Sequence, residues 1–474
     1  MEMASIQRQS KGRRLSAKPR LDQTKCIHCP KRGKNRIRPP CFDTPRDYHR
    51  RPANGGRPAA VRHFLAFDRP AYRSPHHHTM HTETPIHFVP HAVTTDVPQS
   101  DANPIVGGRV ELQLLTTLKC NLKCSYCSLG VGDMLGSQVH VEYDIKQLSA
   151  FVDRHLKGKE IYVTFYGGEP TLNKKLMLEV MQRFPSFRFQ LQTNATLIDN
   201  LPEWALNRLS NVLASIDGGE STTDGYRGRG IYRQVVKNLK EVRDHIGGSV
   251  TARVTWGNPD TCFEELDQLV AEGAPFDYLY WQFVADEMYA GDSVTKRKAV
   301  LVQLIDKFFS RTDVLYPLIP LMGMVRNKLF PTRAVELYAG ASQCRVSTHL
   351  LNVMPNGEIY PCPDMMYDPA MKMGDIKGNW LKKSPLQQDP AMPCHDCEAY
   401  AWCRGNCMKN MHRGYVSNDL QYRTNVVEPI CELIRFMGQE IDKRNPQAWF
   451  EQLSLPVRKQ IMDCEVYEYV EVMP

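Results

Sequence analysis

Three cysteines in the run Leu118-Lys119-Cys120-Asn121-Leu122-Lys123-Cys124-Ser125-Tyr126-Cys127 have the spacing C-x3-C-x2-C. Three thiolates on one short loop can hold three irons of a [4Fe–4S] cube and leave the fourth without a protein ligand. An open metal position is what a catalytic site needs and a structural site avoids. A three-cysteine zinc site or a set of buried thiols is the plainer alternative. A second set follows much later: Cys344, Cys362, Cys394, Cys397, Cys403, Cys407 and Cys431. Asn356-Gly357 is a hairpin signal that brings Cys344 and Cys362 together. Paired zinc ribbons are the alternative here, because C-x2-C suits zinc well. With Cys26, Cys29 and Cys41 in the N-terminal stretch, only Cys262 and Cys464 of the 15 cysteines stand apart. Residues 1–60 lack the apolar core of a secretory signal, so a reducing, cytoplasmic setting is expected, where clustered thiols bind metal.

Such chemistry needs a frame. Residues 108–116, 160–166, 187–193, 211–217, 250–256 and 277–284 read as strands. Between and after them, apolar residues at helical spacing mark 143–157, 176–184, 202–209, 232–245, 263–272 and 294–310 as helices. Strands alternating with helices point to parallel βα units in an α/β fold. Six units fall short of the eight that close a barrel. The expectation is therefore an open, partial (β/α)6 TIM-like barrel over residues 104–335. The first cysteine loop directly follows the first strand, at the end where such barrels place their chemistry. Past residue 340 the elements shorten and cysteines organise the chain, except for a helix at 428–441. A small cysteine-rich domain over 336–445 and a tail over 446–474 complete the expected layout.

At this point the sequence resembles the radical S-adenosylmethionine (SAM) enzymes. The resemblance rests on the C-x3-C-x2-C loop, the strand before it, the βα units after it, and Tyr166-Gly167-Gly168-Glu169-Pro170 after the second strand. It implies that Cys120, Cys124 and Cys127 ligate a catalytic [4Fe–4S] cluster whose open iron chelates SAM. Reductive cleavage of SAM then yields methionine and a 5′-deoxyadenosyl radical, which abstracts a hydrogen atom from an inert C–H bond. By the same resemblance, Gly167, Gly168 and Glu169 would hold the SAM ammonium, and Tyr126 lies in the cofactor-binding loop. Ser215 in Ala214-Ser215-Ile216-Asp217-Gly218 and Arg253 in the fifth strand would contact SAM, Arg253 through its carboxylate. The alternative for Arg253 is a salt bridge to a neighbouring carboxylate. Asn194, in Gln192-Thr193-Asn194 at the end of the third strand, would touch ribose or substrate, or cap a turn.

The later cysteines resemble the SPASM domain, an iron–sulfur module that holds two auxiliary [4Fe–4S] clusters. That implies an outer cluster on Cys394, Cys397, Cys403 and Cys431, and an inner one on Cys344, Cys362 and Cys407. Some members have an eighth cysteine soon after the first; here the run is Arg345-Val346-Ser347-Thr348-His349. The inner cluster then has an open iron, or takes His349, a distant cysteine or the substrate. Asp364 is a candidate catalytic base, although some family members place a catalytic aspartate directly after the equivalent cysteine and Asp364 lies two residues after Cys362. A turn role is the preferred reading for it.

The chain of 474 residues is 42% hydrophobic, enough for a real core, and has no run of 18 apolar residues to span a membrane. The net charge of +8 sits in a tail: residues 1–60 hold 16 Lys+Arg against 4 Asp+Glu. Residues 1–103, rich in Arg, Pro and His, read as a disordered extension. Without interleaved aromatics, a solvated tail is preferred there over nucleic-acid binding. The leading expectation is a radical SAM/SPASM enzyme of the peptide-modifying maturase subgroup. It would crosslink or oxidise a peptide or protein side chain, with a donor such as flavodoxin or ferredoxin supplying electrons. The alternatives are a radical SAM oxidoreductase on a small molecule and a non-enzymatic zinc or nucleic-acid-binding protein.

Overall fold

The computed structural model describes residues 105, 108–127, 140–284, 289–331 and 344–463, except 347, 367 and 388. The expected extension 1–103, with Cys26, Cys29 and Cys41, and Cys464 lie outside the described residues. The described residues fall in one unit, Thr94–Pro474.

Six strands alternate with helices: β1 (Arg109–Thr117), β2 (Glu160–Gly167), β3 (Arg188–Thr193), β4 (Leu209–Ser215), β5 (Ser249–Trp256) and β6 (Tyr278–Phe283). They pair in sequence order and all in parallel, giving the open partial barrel that the alternation implied. The intervening helices are α1 (Ile145–His155), α2 (Lys174–Arg183), α3 (Glu203–Asn207), α4 (Glu220–Arg227), α5 (Ile231–Val242) and α6 (Phe263–Asp267). Each strand buries long apolar runs, as a parallel sheet covered on its faces must. The helices start where local chemistry allows. Asp144 caps α1 by accepting from the Gln147 amide at 2.8 Å, while the Gln147 side chain accepts from the Asp144 amide at 2.9 Å. In α5, Val235, Leu239 and Val242 form the buried stripe.

The sheet does not end at β1. The C-terminal segment adds β7 (Leu350–Val353) in parallel against β1, then β8 (Glu358–Tyr360), β9 (Gly374–Asp375) and β10 (Trp380–Leu381), antiparallel in succession. The cysteine-rich segment is thus joined edge-on to the strand that feeds Cys120. On the far side, α7 (Ser293–Phe309) packs against the helix Glu428–Lys443, and α8 (Ile319–Leu329) is buried around almost its whole circumference. No helix among the described residues is long and apolar enough to cross a membrane.

One row of the sheet is unusual. Asn352, Gln113, Thr164, Gln190, Asn211 and Ser249 are successive register partners from β7 to β5. All but Ser249 are buried, and the row lies on the face that carries Ser215 and Arg253 four residues further along β4 and β5. Among the described residues, the side-chain amides of Gln190 and Asn352 have no protein partner.

Residues beyond 446 form two helices, Pro446–Gln452 and Leu455–Asp463. Trp449 is buried against Phe308 and Phe309, with ring centroids 5.2 and 4.8 Å away, and its indole N–H donates to the Arg311 carbonyl at 3.1 Å. Truncation of a buried Trp removes this packing, so Trp449→Ala is expected to cost about 3–5 kcal/mol. The urea midpoint of the variant against the parent checks it.

Candidate functional site

The cysteine loop leaves β1 and is stitched at once to the end of β2. The Gly168 amide donates to the Thr117 carbonyl at 2.9 Å and the Glu169 amide to the Lys119 carbonyl at 2.8 Å. This approach is closer than any side chain permits. A Cβ on Gly168 would stand 2.2 Å from the Lys119 carbonyl oxygen, and Gly167, at φ +127°, would meet the Thr117 carbonyl at 2.3 Å. The glycines therefore admit the backbone of the cysteine loop itself. Thr116 and Asn173 reinforce the seam, through Thr116 Oγ1 to the Pro170 carbonyl at 3.2 Å and Asn173 Nδ2 to the Thr116 carbonyl at 2.7 Å.

Glu169 is fully buried. Its Oε1 accepts from the Thr171 amide, the Thr171 hydroxyl and the Thr193 hydroxyl at 3.1, 2.6 and 2.7 Å, and its Oε2 from the Asn194 amide at 2.7 Å. Burial raises its pKa even though all four donors favour the charged form. Only Oε2 keeps an acceptor position, so most of this carboxylate is spent on joining the ends of β2 and β3. Asn194 turns its side chain to the loop: Nδ2 donates to Asn121 Oδ1 at 2.8 Å and lies 3.7 Å from Cys120 Sγ. The Leu122 amide also points at Cys120 Sγ, at 3.4 Å.

Tyr126 is tied to the end of β4. Its hydroxyl donates to Asp217, 2.9 Å from Oδ1, and Arg227 bonds both Tyr126 and Asp217. Ser215 and Arg253 are direct register partners on β4 and β5, and Arg253 Nη2 donates to Gln282 Oε1 on β6 at 2.9 Å. Cys120, Tyr126, Gly168, Glu169, Asn194, Ser215 and Arg253 thus all stand at the C-terminal ends of β1 to β5 or in the loops that leave them. Asp217 and Arg227 join them, and Arg227 carries no motif in the sequence that would have pointed to it. Burial pushes the Cys124 thiol up to about 11, and Cys127 and Cys120 push the same way, so the three sulfurs lie within electrostatic reach.

The later cysteines fall into two groups. Cys362 and Cys407 share Cys344 and Asp364 as charged neighbours. Cys403 has Cys431, Cys394 and Cys397. Asp364 sits in the turn Pro363–Met365 beside the first group. The charged neighbours of His349 are Arg345, beside Cys344 in the chain, with Lys159 and Arg109, and burial with those cations holds its imidazole down at about 4. Among the described residues no three His, Cys, Asp or Glu side chains close around a single ion. Thiolates on a cube each bind a different iron and so stand further apart than ligands of one ion.

Residues 114–271 match the model of the Radical SAM superfamily. This segment is a radical SAM domain. The superfamily uses SAM and a [4Fe–4S] cluster. The structure of anSMEcpe with bound AdoMet superposes with a TM-score of 0.53 at 18% identity, covering 71% of this chain and 99% of that one. SuiB of Streptococcus suis bound to S-adenosylmethionine gives 0.45 at 17%, covering 65% and 75%. A protein named probable GTP 3′,8-cyclase from Methanocella arvoryzae is 32% identical over 111 residues, 22% of this chain and 34% of its own. Its namesake in Archaeoglobus fulgidus is 29% identical over 144 residues, 28% of this chain and 45% of its own. The chain therefore spans about a third to under half the length of these curated relatives.

The donor set of the radical SAM domain fits a cluster. Three free thiols share one loop, and N–H groups of Leu122, Asn194 and Arg227 are aimed at two of the sulfurs, as anionic sulfur requires. Ligation must displace thiol protons. In cluster-free protein, iodoacetamide labelling of Cys124 is expected to rise about tenfold per pH unit from 7 to 10, because only the thiolate reacts. Mass spectrometry of the labelled peptide reads this. Gly168→Ala is expected to displace the Lys119 carbonyl and lower iron retention at least about fivefold, with the Tm falling by several degrees; iron analysis and calorimetry check both.

Proposed function

We propose that this chain is a radical SAM enzyme that abstracts a hydrogen atom from a peptide or protein side chain and crosslinks or oxidises it. The observation that carries the reading is the Cys120/Cys124/Cys127 loop, locked by backbone contacts at the C-terminal mouth of a radical SAM domain. When bound, the cluster and SAM supply reductive cleavage to a 5′-deoxyadenosyl radical. The chain's own residues position and shield. Glu169 and Asn194 hold the ends of β2 and β3 against the cysteine loop. Ser215 and Arg253 offer a hydroxyl and a guanidinium to the cofactor, Arg253 suiting a carboxylate.

Residues 336–445 are assigned to a SPASM domain, with auxiliary clusters on Cys394, Cys397, Cys403 and Cys431, and on Cys344, Cys362 and Cys407. The fold likeness to anSMEcpe supports this by extending well beyond residues 114–271. Asp364, in the turn Pro363–Met365 beside the second group, is the candidate base, with a turn role preferred for it. A donor such as flavodoxin or ferredoxin would supply the electron.

Anaerobic reconstitution, then dithionite and SAM, is expected to release 5′-deoxyadenosine and to load about four irons per cube. The triple variant Cys120→Ala/Cys124→Ala/Cys127→Ala should lose the nucleoside and about four of those irons. Zinc in place of iron, with no 5′-deoxyadenosine from loaded protein, overturns the reading. GTP serves as the rival substrate, given the names of the archaeal relatives; its SAM-dependent consumption would overturn the peptide assignment.

A further inference from the structure

We propose that Arg227 is the residue that sets the reduction potential of the Cys120/Cys124/Cys127 centre, while fixing the loop that carries it. The inference rests on the radical SAM reading above. It starts from a buried charge. Arg227 closes α4 with its side chain only 7% exposed, and Asp217, its ion-pair partner, is 0% exposed. Nε donates to Asp217 Oδ2 at 2.7 Å and Nη2 to Oδ1 at 3.0 Å, the two-pronged geometry that only a guanidinium provides. Nη2 also reaches the Tyr126 hydroxyl. That leaves Nη1, which among the described residues has Cys124 Sγ, 3.9 Å away, as its partner.

The contacts converge on three consecutive loop residues. Arg227 faces Cys124 and Tyr126, the Ser125 amide donates to the Tyr226 carbonyl at 3.1 Å, and the rings of Tyr126 and Tyr226 lie 5.2 Å apart. Asp217 is held in turn by Thr223 Oγ1, which accepts from its amide at 3.1 Å, and by the Thr255 amide, 3.3 Å from Oδ1. The unit therefore spans the ends of β4 and β5, two residues beyond Ser215 and Arg253.

A structural clamp alone does not require a cation aimed at sulfur. Reduction adds negative charge to a thiolate-held centre, and cluster potentials respond to nearby charge and to hydrogen bonds at the sulfurs. Of the buried pair it is the guanidinium that faces the sulfur, with Nη1 3.9 Å from Cys124 Sγ. A cation and an N–H donor at that sulfur favour the reduced state that SAM cleavage requires.

The test is an EPR-monitored redox titration of reconstituted protein, following the signal that shifts when SAM is added. The paired variant Asp217→Asn/Arg227→Gln strands no buried charge, so it is expected to fold and to keep its iron. Its reduced fraction at a fixed poise should fall about tenfold, which is about 59 mV for a one-electron couple. Arg227→Lys keeps the charge and should stay within about threefold of the parent. An unchanged potential in the paired variant overturns the proposal, as does equal loss in the lysine variant. If the paired variant does not hold iron, Arg227→Lys against Arg227→Met decides: equal potentials overturn the proposal, and a lower one in Met supports it. A parent whose signal ignores SAM overturns the proposed function itself, and this inference with it.

Discussion

The site depends on a close approach of two backbones. The end of β2 lies so near the start of the cysteine loop that Gly167 and Gly168 have room for hydrogen only. Two amide-to-carbonyl bonds then fix Thr117 and Lys119, and so the direction in which Cys120 leaves β1. Glu169 continues the same seam by reaching to β3. A flexible loop would lose conformational entropy each time it gathered three thiolates around a cluster. Here the fold meets much of that cost in advance.

Charge is handled by pairing and by saturation. Glu169 is surrounded by hydroxyls and amides, with no cation in its hydrogen-bond set among the described residues, whereas Asp217 has Arg227. Either group left without its partners would be an expensive buried charge. The first joins adjacent strands, and the second joins the loop, β4 and α4. The two anchors grip the cysteine loop from opposite ends, one before Cys120 and one after Cys124.

Much of this frame is legible in the sequence. The six strands of the barrel show as β-rich runs, and β1 begins and ends one residue later than its run suggests. The cysteine spacing marks the loop because metal chemistry restricts residue type and spacing together. Helix α4 escapes notice because its buried positions are Thr222, Thr223 and Arg227, which carry no apolar stripe. Helix α8 escapes for the opposite reason: from Ile319 to Asn327 every residue is buried, so no face stands out. Strands β7 to β10 are two to four residues long, too short for a period to register. Arg227 is invisible for a deeper reason. Its role exists only once α4 and the cysteine loop, about a hundred residues apart, are brought together. His349, close to Cys344 in sequence, has Arg109 and Lys159 as charged neighbours only because β7 returns to the edge of β1.

The seat of β7 against β1 has a consequence for the order of events during synthesis. Glu111 to Leu114 find their second neighbour only in Leu350 to Val353. When the radical SAM domain has left the ribosome, the outer edge of β1 is still an open row of hydrogen-bonding groups beside newly made cysteines. Contacts this distant in sequence form slowly, and an unpaired edge exposes a nascent chain to misassembly. The last strands of the sheet therefore act as a closing seal on the strand that feeds the cysteine loop, so full rigidity of that loop waits for nearly the whole polypeptide. The strand that feeds the cysteine loop is thus completed in the finished protein rather than in the emerging one.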